Sequence, residues 1–499
     1  MSFTVTSALR WWVRQGPDTL ALNVDGTAVT YGELYRWAQG VAGWLQEQGV
    51  KPGDRVGMLS VQSVPYIALA LGLQLTGAMI VPLNTRFTAR ELRIAIDDTT
   101  PLMVFAEPER IELIQHVVEG MSIPVKSTRD IDSWRERPAF TPTFHPTRDT
   151  VIAIMSTSGS TAKPKFVKFT HDMVVSIALE LQLTEPRVWR GRTLILSPFF
   201  TGGLYVIFEY ITLGCSQFVR TKLQGDELLD VLVQEKISVF PSGPIFLERV
   251  AGAARFPEAD LSSIIWATVG GARVPPALVQ KYREKGVLLR CLYGQTEAGG
   301  AWASTGESLN DTMSAGYGGP FTEWGIIKGE EFQLPGQVGE IVIRGPSVTS
   351  GYWNNSEATS QVLWRDGWLK TGDLGKVDEI NSLTFVDRLK DIIISGGLNI
   401  SAAELEAAIN EVDGVAEVAV ISAADAKFGE TPLAVVYATK PVSAEAIVQH
   451  CNSVLADYKV PRYIVLESEP LPRNPSGKIS KLNLREKYKN AAERLPKLR

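Results

Sequence analysis

The sequence predicts an α/β protein with a large layered N-terminal domain, residues 1–386, and a small α+β C-terminal domain, residues 387–499. Three observations predict it. Helix and strand patterns alternate through the first part of the chain, as layered α/β folds require. The pattern changes character near Asp387, after which about a hundred residues read as a unit of their own. The 499 residues, 45% of them hydrophobic, also exceed what one compact core holds, so two or more domains are expected.

The elements follow in order. Thr30 and Glu33 have capping-box spacing. Behind them Leu34, Trp37, Ala38, Val41, Ala42 and Leu45 recur at helical spacing, and Gly49 ends the helix. RVGMLS, from Arg55, reads as a strand. The most apolar stretch, Val64 to Leu83, is nearly long enough to span a bilayer, but Pro65, Gln74, Gly77 and Pro82 interrupt it. A buried helix followed by a buried strand is the expectation. Met121 to Thr150, rich in Pro, Thr and charge, reads as a surface excursion within the domain. VIAIM, Val151 to Met155, is a strand. In the small domain Ser401 and Glu404 repeat the capping-box spacing ahead of the helix AAELEAAINEV. VAEVAVIS and LAVVYATK read as strands, AEAIVQHCNSVLADY as a helix and RYIVLES as a strand.

Composition excludes several classes. A net charge of −5 argues against a general nucleic-acid binder. Cys215, Cys291 and Cys451 offer no disulfide framework and no metal-site spacing, and they fit a reducing cytosol. His116, His145, His171 and His450 form no ligand pattern, and His171 is expected to be structural. MSFTVTSALRWWVRQG lacks the apolar core of a signal peptide. A cytoplasmic protein without a membrane span is expected, as monomer or homodimer.

The stretch MSTSGSTAKPKFVKFTH, Met155 to His171, follows the VIAIM strand. Hydroxyls, backbone N–H groups near Gly159 and the lysines 163 and 165 can ring an anion such as a phosphate chain. The Walker spacing is absent, and an ordinary polar turn has the same composition. Five further stretches bear on the choice: VGGARVP (Val269 to Pro275), YGQTEAGG (Tyr293 to Gly300), WLKTGDLG (Trp368 to Gly375), DRLKDIIISGGLNI (Asp387 to Ile400) and LPRNPSGKISKLNLR (Leu471 to Arg485). Together, in this order, they resemble the adenylate-forming superfamily of acyl-CoA synthetases, adenylation domains and beetle luciferases. The resemblance spans nearly the whole chain.

That resemblance implies a mobile C-terminal domain, an active site at the interface of the two domains, and two-step chemistry with ATP, Mg²⁺ and coenzyme A. By it, Thr157, Ser158, Gly159, Ser160, Thr161 and Lys165 hold the β- and γ-phosphates. Ala162 and Phe166 depart from the family's glycines there, which leaves a degenerate nucleotide-binding regulator as an alternative of another class. Glu297 is the implied Mg²⁺ ligand, Thr296 the α-phosphate donor, and Tyr293 with Gly294 the adenine platform. Gly271, Ala272 and Arg273 run along adenine and the acyl pocket. Asp373 accepts the ribose hydroxyls and Arg388 lies on the ribose and phosphate side. Asp387 is the implied hinge, Gly396 and Gly397 line the thiol tunnel, and Lys478 is the implied catalytic lysine of the first half-reaction. Plain turns would also use Asp387, Gly396 and Gly397, and a solvated tail would also carry Lys478.

The branch is read from the implied acyl pocket: Phe200, Thr201, Gly203, Tyr205 and Gly299. No aspartate lies between Ser197 and Tyr205 to pair with an amino acid's amine, and Phe200 and Thr201 stand where many acyl-CoA ligases carry a histidine. A mainly apolar pocket for an aromatic, alicyclic or medium-chain acid is expected. No carrier-protein domain follows Lys478 and no S-K-L tail is present, which weakens a luciferase-type reading. The expectation is an AMP-forming acid:CoA ligase whose partners are a small carboxylic acid and CoA. The runner-up is a free-standing enzyme that loads a carrier-protein thiol.

Overall fold

The computed structural model describes residues 3–157, 164–184, 188–221, 225–270, 274–299, 314–425, 427–474 and 477–498. The chain forms two compact units. One comprises residues 1–324, 342–370 and 381–383; the other comprises 325–341, 371–380 and 384–499. Two earlier segments thus cluster with the C-terminal part.

Two mostly parallel sheets build the larger unit. In the first, the strands run in the order Leu289–Leu292, Trp266–Gly270, Val239–Ser242, Arg192–Ile195, Ser216–Val219, Leu20–Val24 and Thr27–Thr30. All neighbours are parallel except the last pair, an antiparallel edge. The second sheet orders Val125–Ser127, Met103–Ala106, Arg55–Leu59, Met79–Pro82, Val151–Ser156 and Phe166–Thr170, again with one antiparallel pair at the end.

Burial explains the sequence patterns. The Val64–Thr76 helix is buried on every side, and the Met79–Pro82 strand after it is wholly buried. Each fully buried Leu or Ile there contributes about 1.5–3 kcal/mol. Pro65 sits in the first turn, where its missing N–H costs nothing. Gly77 ends the helix in the left-handed region at φ +77°. Thr30 and Glu33 close a full capping box on the Tyr31–Glu47 helix: Glu33 N–H donates to Thr30 Oγ1 at 3.2 Å and Thr30 N–H to Glu33 Oε2 at 2.9 Å. The 121–150 segment is more than an excursion. Trp134 is buried and stacks on Trp44 at 4.0 Å, and Trp37 Nε1 donates to Ile131 O at 2.9 Å.

In the smaller unit Val415–Asp425 and Gly429–Ala438 form a long antiparallel pair. Ile393–Ser395 adds antiparallel on the Gly429–Ala438 strand and Tyr463–Glu467 adds parallel to it. The helices Ala402–Ile409 and Ala444–Val454 bury Leu405, Ile409 and Ile447 against this sheet.

Candidate active site

Of four adjacent parallel strands of the first sheet, three end in stretches singled out by the sequence and the fourth ends at Gly243 between them. Arg192–Ile195 leads to SPFFTGGLY, Val239–Ser242 to Gly243, Trp266–Gly270 to residues 271–273, and Leu289–Leu292 to YGQTE. They leave the carboxyl ends of strands, which is where open α/β sheets bind ligands.

The stretch proposed from the sequence to hold phosphates connects two antiparallel partners, the strands Val151–Ser156 and Phe166–Thr170. Ser156 pairs with Phe166, and Thr157 N–H donates to Lys165 O at 2.8 Å. Thr157 and Lys165 thus close the loop's base, while Ser158, Gly159, Ser160 and Thr161 lie outside the described residues, as do Ala162, Gly271, Ala272 and Arg273. Phe166 is a core residue of its strand, 3% exposed.

Thr296–Ala298 form one tight turn, ended by Gly299 at φ +63°. At that φ a side chain is strained, and a Cβ at Gly299 would also lie 3.2 Å from the Ser347 carbonyl oxygen. Glu297 is half-buried on this turn, and its Oε1 accepts from Tyr352 Oη at 2.8 Å. Lys165 Nζ lies 5.0 Å from the centroid of the same Tyr352 ring. The structure therefore brings Lys165 and Glu297 together around a residue that sequence reasoning missed. Tyr293 lies 5.7 Å from Trp324, ring to ring, and Gly294 is exposed beside it.

The Phe199–Gly203 turn carries the expected pocket residues. Phe200 is buried, Thr201 Oγ1 donates to Pro198 O at 2.8 Å, and the Tyr205 ring stacks on Phe169 at 5.6 Å. Gly203 packs against the Ser197 and Pro198 carbonyls, where any side chain would collide. One turn of helix beyond Tyr205 stands Glu209, a carboxyl on an otherwise apolar helix. Burial pushes it up to about 8. Its folded value lies above its unfolded value, so the folded chain keeps a proton that the unfolded chain releases, and stability falls as pH rises from the ordinary carboxylate range to about 8. Glu209→Gln removes this titration. In denaturant unfolding, its stability relative to the parent should rise between pH 5 and pH 8 by on the order of 2–4 kcal/mol. A pH-independent difference would show that Glu209 does not titrate in this window. His171 is buried also. Its Nδ1 accepts from Val5 N–H at 3.2 Å, and burial pushes the ring down to about 3, so it stays neutral.

The remaining candidates lie in the smaller unit. Lys478 sits on a tight turn: its N–H donates to Asn474 Oδ1 at 3.0 Å, its carbonyl accepts from Asn474 N–H at 2.8 Å, and Gly477 takes φ +88°. Arg388 Nε is 3.6 Å from Asp373 Oδ1. Surrounding protein, then Arg388, pushes the Lys478 ammonium below the usual lysine range, and Asp373 pulls it back. Lys478 still exposes much of its surface, so water screens the effect. Lys390 is lowered for the same two reasons, burial first and Arg388 second. Asp373, Arg388 and Lys478 thus form one cluster.

Asp387 is almost fully buried. It accepts from Arg388 N–H at 2.7 Å, Ser401 Oγ at 2.7 Å and Ala403 N–H at 3.0 Å, and so caps the Ala402–Ile409 helix. Gly396 and Gly397, at φ +58° and +82°, are the two-residue turn between Ile393–Ser395 and Leu398–Ile400, a turn that needs positive φ at both places. Gly396 N–H donates to Phe428 O at 2.8 Å. Near it a basic recess is lined by Lys427, Phe428, Asn452, Asp457, Arg462 and Lys497, and the Arg462 guanidinium lies 4.0 Å over the Phe428 ring.

Among the described residues no three His, Cys, Asp or Glu side chains gather as a metal site. Mg²⁺ needs no such cage: it binds one or two carboxylates, water and substrate phosphates. A half-buried carboxylate such as Glu297, steadied through one oxygen, fits that donor set. No helix among the described residues is long and apolar enough to cross a membrane.

Comparison with known proteins follows the same lines. Residues 9–353 match the AMP-binding enzyme family and residues 404–478 match the AMP-binding enzyme C-terminal domain. The chain is 33% identical over 496 residues to the long-chain-fatty-acid–CoA ligase FadD13 of Mycobacterium tuberculosis, covering 97% of this chain and 96% of that one. It is 33% identical over 487 residues to a feruloyl-CoA synthase of Amycolatopsis, covering 95% and 97%. The o-succinylbenzoate CoA synthetase of Bacillus subtilis, solved with its acyl-adenylate intermediate, superposes with a TM-score of 0.87 at 28% identity over 96% of this chain and 97% of that one. The same synthetase solved with ATP and magnesium gives 0.87 at 27%, over 96% and 99%. The chain therefore belongs to the AMP-binding enzymes, in the acid:CoA ligase branch of the adenylate-forming superfamily.

Proposed function

We propose that this enzyme activates an apolar aromatic, alicyclic or medium-chain carboxylic acid with ATP and transfers the acyl group to coenzyme A. In the first step a carboxylate oxygen attacks the α-phosphorus and the bond to pyrophosphate breaks, leaving acyl-AMP. In the second the thiol, giving up its proton, attacks the acyl carbon and AMP departs. One observation carries the reading. The larger unit brings Lys165, Tyr352 and Glu297 together, a set suited to a cation and phosphates, and carries the aromatic turn Phe199–Tyr205, which bears no acid for an amine.

In this reading Thr157 and Lys165 anchor the β- and γ-phosphates, with Ser158, Gly159, Ser160 and Thr161 between them. Thr296 donates to the α-phosphate. Tyr293, Gly294 and the 271–273 backbone hold adenine. Glu297 would hold Mg²⁺, which would supply charge neutralisation at the phosphates. Asp373 takes the ribose hydroxyls with Arg388 beside it. Lys478 supplies positive charge as the two anions meet. Phe200, Thr201, Gly203, Tyr205 and Gly299 line the acyl pocket, which rejects zwitterionic amino acids because an unpaired buried ammonium costs several kcal/mol, to order of magnitude. The small domain, residues 387–499, turns between the two steps with its hinge at Asp387. The three hydrogen bonds on that carboxylate mean that its side chain travels with the helix it caps.

Coenzyme A is favoured over a carrier protein by the recess around Arg462. Lys427, Arg462 and Lys497 outnumber Asp425 and Asp457 there, Phe428 offers a flat face, and Gly396 of the thiol-tunnel turn is bonded to Phe428. Cations beside an aromatic face suit the phosphates and adenine of a nucleotide. The test supplies an acid panel with ATP and CoA, without carrier protein, and looks for pyrophosphate and for the thioester by mass spectrometry. Activity only with amino acids, or thioester only with a carrier, overturns the reading. Pyrophosphate release with no acid at all would favour the nucleotide-binding regulator. In the same assay Arg462→Ala should raise KM for CoA by roughly 10-fold or more, the worth of a hydrogen bond to a charged group, and leave KM for pantetheine unchanged. Equal effects on both thiols would remove the nucleotide from the recess.

A further inference from the structure

The segment 349–353 ties two parts of the site together. On one side it runs along the Phe166–Thr170 strand. Trp353 N–H donates to Phe166 O at 2.7 Å, Lys168 N–H to Gly351 O at 3.2 Å, Thr349 Oγ1 to Lys168 O at 2.8 Å, and Tyr352 bridges Val167 antiparallel. On the other side Thr349 N–H donates to Glu297 O at 2.8 Å. The phosphate hairpin and the Glu297 turn, about 130 residues apart in sequence by their numbering, are therefore held to one strap. Gly351, at φ +117°, lets the strap pass Thr359, whose side chain any Cβ would strike, and Tyr352 N–H donates to Thr359 Oγ1 at 3.0 Å.

Tyr352 is 6% exposed and uses both ends of its side chain. Its hydroxyl donates to Glu297 Oε1 at 2.8 Å, and the Lys165 ammonium stands 5.0 Å from its ring centroid. A buried hydroxyl given to a carboxylate fixes that carboxylate's orientation and occupies one of its two oxygens. A cation over the ring is attracted to the π face. We infer that Tyr352 is a positioning residue for the metal–phosphate centre, setting the Glu297 carboxylate for Mg²⁺ and the Lys165 ammonium for phosphate from a single side chain. The inference rests on the proposed role of Glu297 and goes beyond it, since Tyr352 acts through the side chains of Glu297 and Lys165.

Two variants separate the two ends of the side chain. Tyr352→Phe keeps the ring and loses the hydroxyl; Tyr352→Leu loses both. The first readout is Mn²⁺ binding to the enzyme–ATP complex, followed by electron paramagnetic resonance. The second is calorimetric ATP affinity in EDTA. Tyr352→Phe should weaken Mn²⁺ binding roughly 10-fold, the scale of a lost hydrogen bond to a charged group, with metal-free ATP affinity unchanged. At saturating Mg²⁺ its kcat should return to near the parent value. Tyr352→Leu should weaken metal-free ATP binding as well, by about 3-fold or more. Unchanged Mn²⁺ affinity in Tyr352→Phe overturns the inference, and so does a loss of kcat that Mg²⁺ does not rescue while the melting temperature falls, because that pattern belongs to a packing role. Glu297→Gln in the same titration tells the two levels apart. If it leaves Mn²⁺ binding intact, the metal-ligand reading itself fails. If it weakens Mn²⁺ binding and Tyr352→Phe does not, only the positioning role fails.

Discussion

Lys478→Ala is expected to lower acyl-AMP formation by ~10²–10³ or more while leaving thioester formation from pre-made acyl-AMP and CoA largely intact. The substitution is clean. The turn that presents Lys478 is closed by its backbone N–H and carbonyl, both bonded to Asn474, and by the Gly477 conformation, none of which involves the amine. What the variant loses is charge. Arg388 stands close enough to disfavour a second cation, and Asp373 partly offsets it. A lysine held charged beside an arginine gains most when an anion arrives, as two do when a carboxylate approaches the α-phosphate. The proposed cycle needs Lys478 in the first half-reaction and withdraws it in the second, so single-turnover measurement of each half decides. Equal loss in both, or loss in neither, refutes the two-pose assignment and leaves Lys478 as a solvated residue of a basic tail.

How far the sequence reveals this protein depends on whether an interaction is local. The Thr30–Glu33 capping box forms in full because both partners are three residues apart and nothing else competes. Ser401–Glu404 has the same spacing and forms only half. Ser401 Oγ caps Glu404 N–H but also donates to Asp387, and the Glu404 carboxylate is drawn to Lys459 at 2.7 Å. A tertiary partner outcompetes the local one there. The stretches proposed to hold substrate are legible because each is a short loop with its own turn chemistry. Tyr352 was not, since nothing in its neighbourhood encodes a hydrogen bond across 55 positions to Glu297. Glu209 did leave a signal, a lone carboxylate in LYVIFEYITL. The interleaved units left none: 325–341 and 371–380 join 384–499 through contacts, without any change in composition that would mark a boundary.

The second large effect concerns charge at the metal. Glu297→Gln should reduce adenylation at limiting Mg²⁺ by roughly 10²-fold, the scale of several kcal/mol of lost charge stabilisation, with little change in melting temperature. The fold has no need of the negative charge. The Gln oxygen can still accept from Tyr352 Oη, and the backbone carbonyl of residue 297 still receives Thr349 N–H. The amide keeps the shape of the carboxylate and the hydrogen bond that steadies it, but a neutral oxygen is a poor substitute for an anionic one on a small, hard divalent ion. Raising Mg²⁺ should recover part of the loss, because weaker binding is offset by mass action while the missing charge next to the phosphates is not. A Mg²⁺ titration of pyrophosphate release therefore separates the two contributions. Near-normal turnover of Glu297→Gln at limiting Mg²⁺ would take the metal off this residue. A matching fall in stability and rate would make Glu297 a structural anchor of its turn.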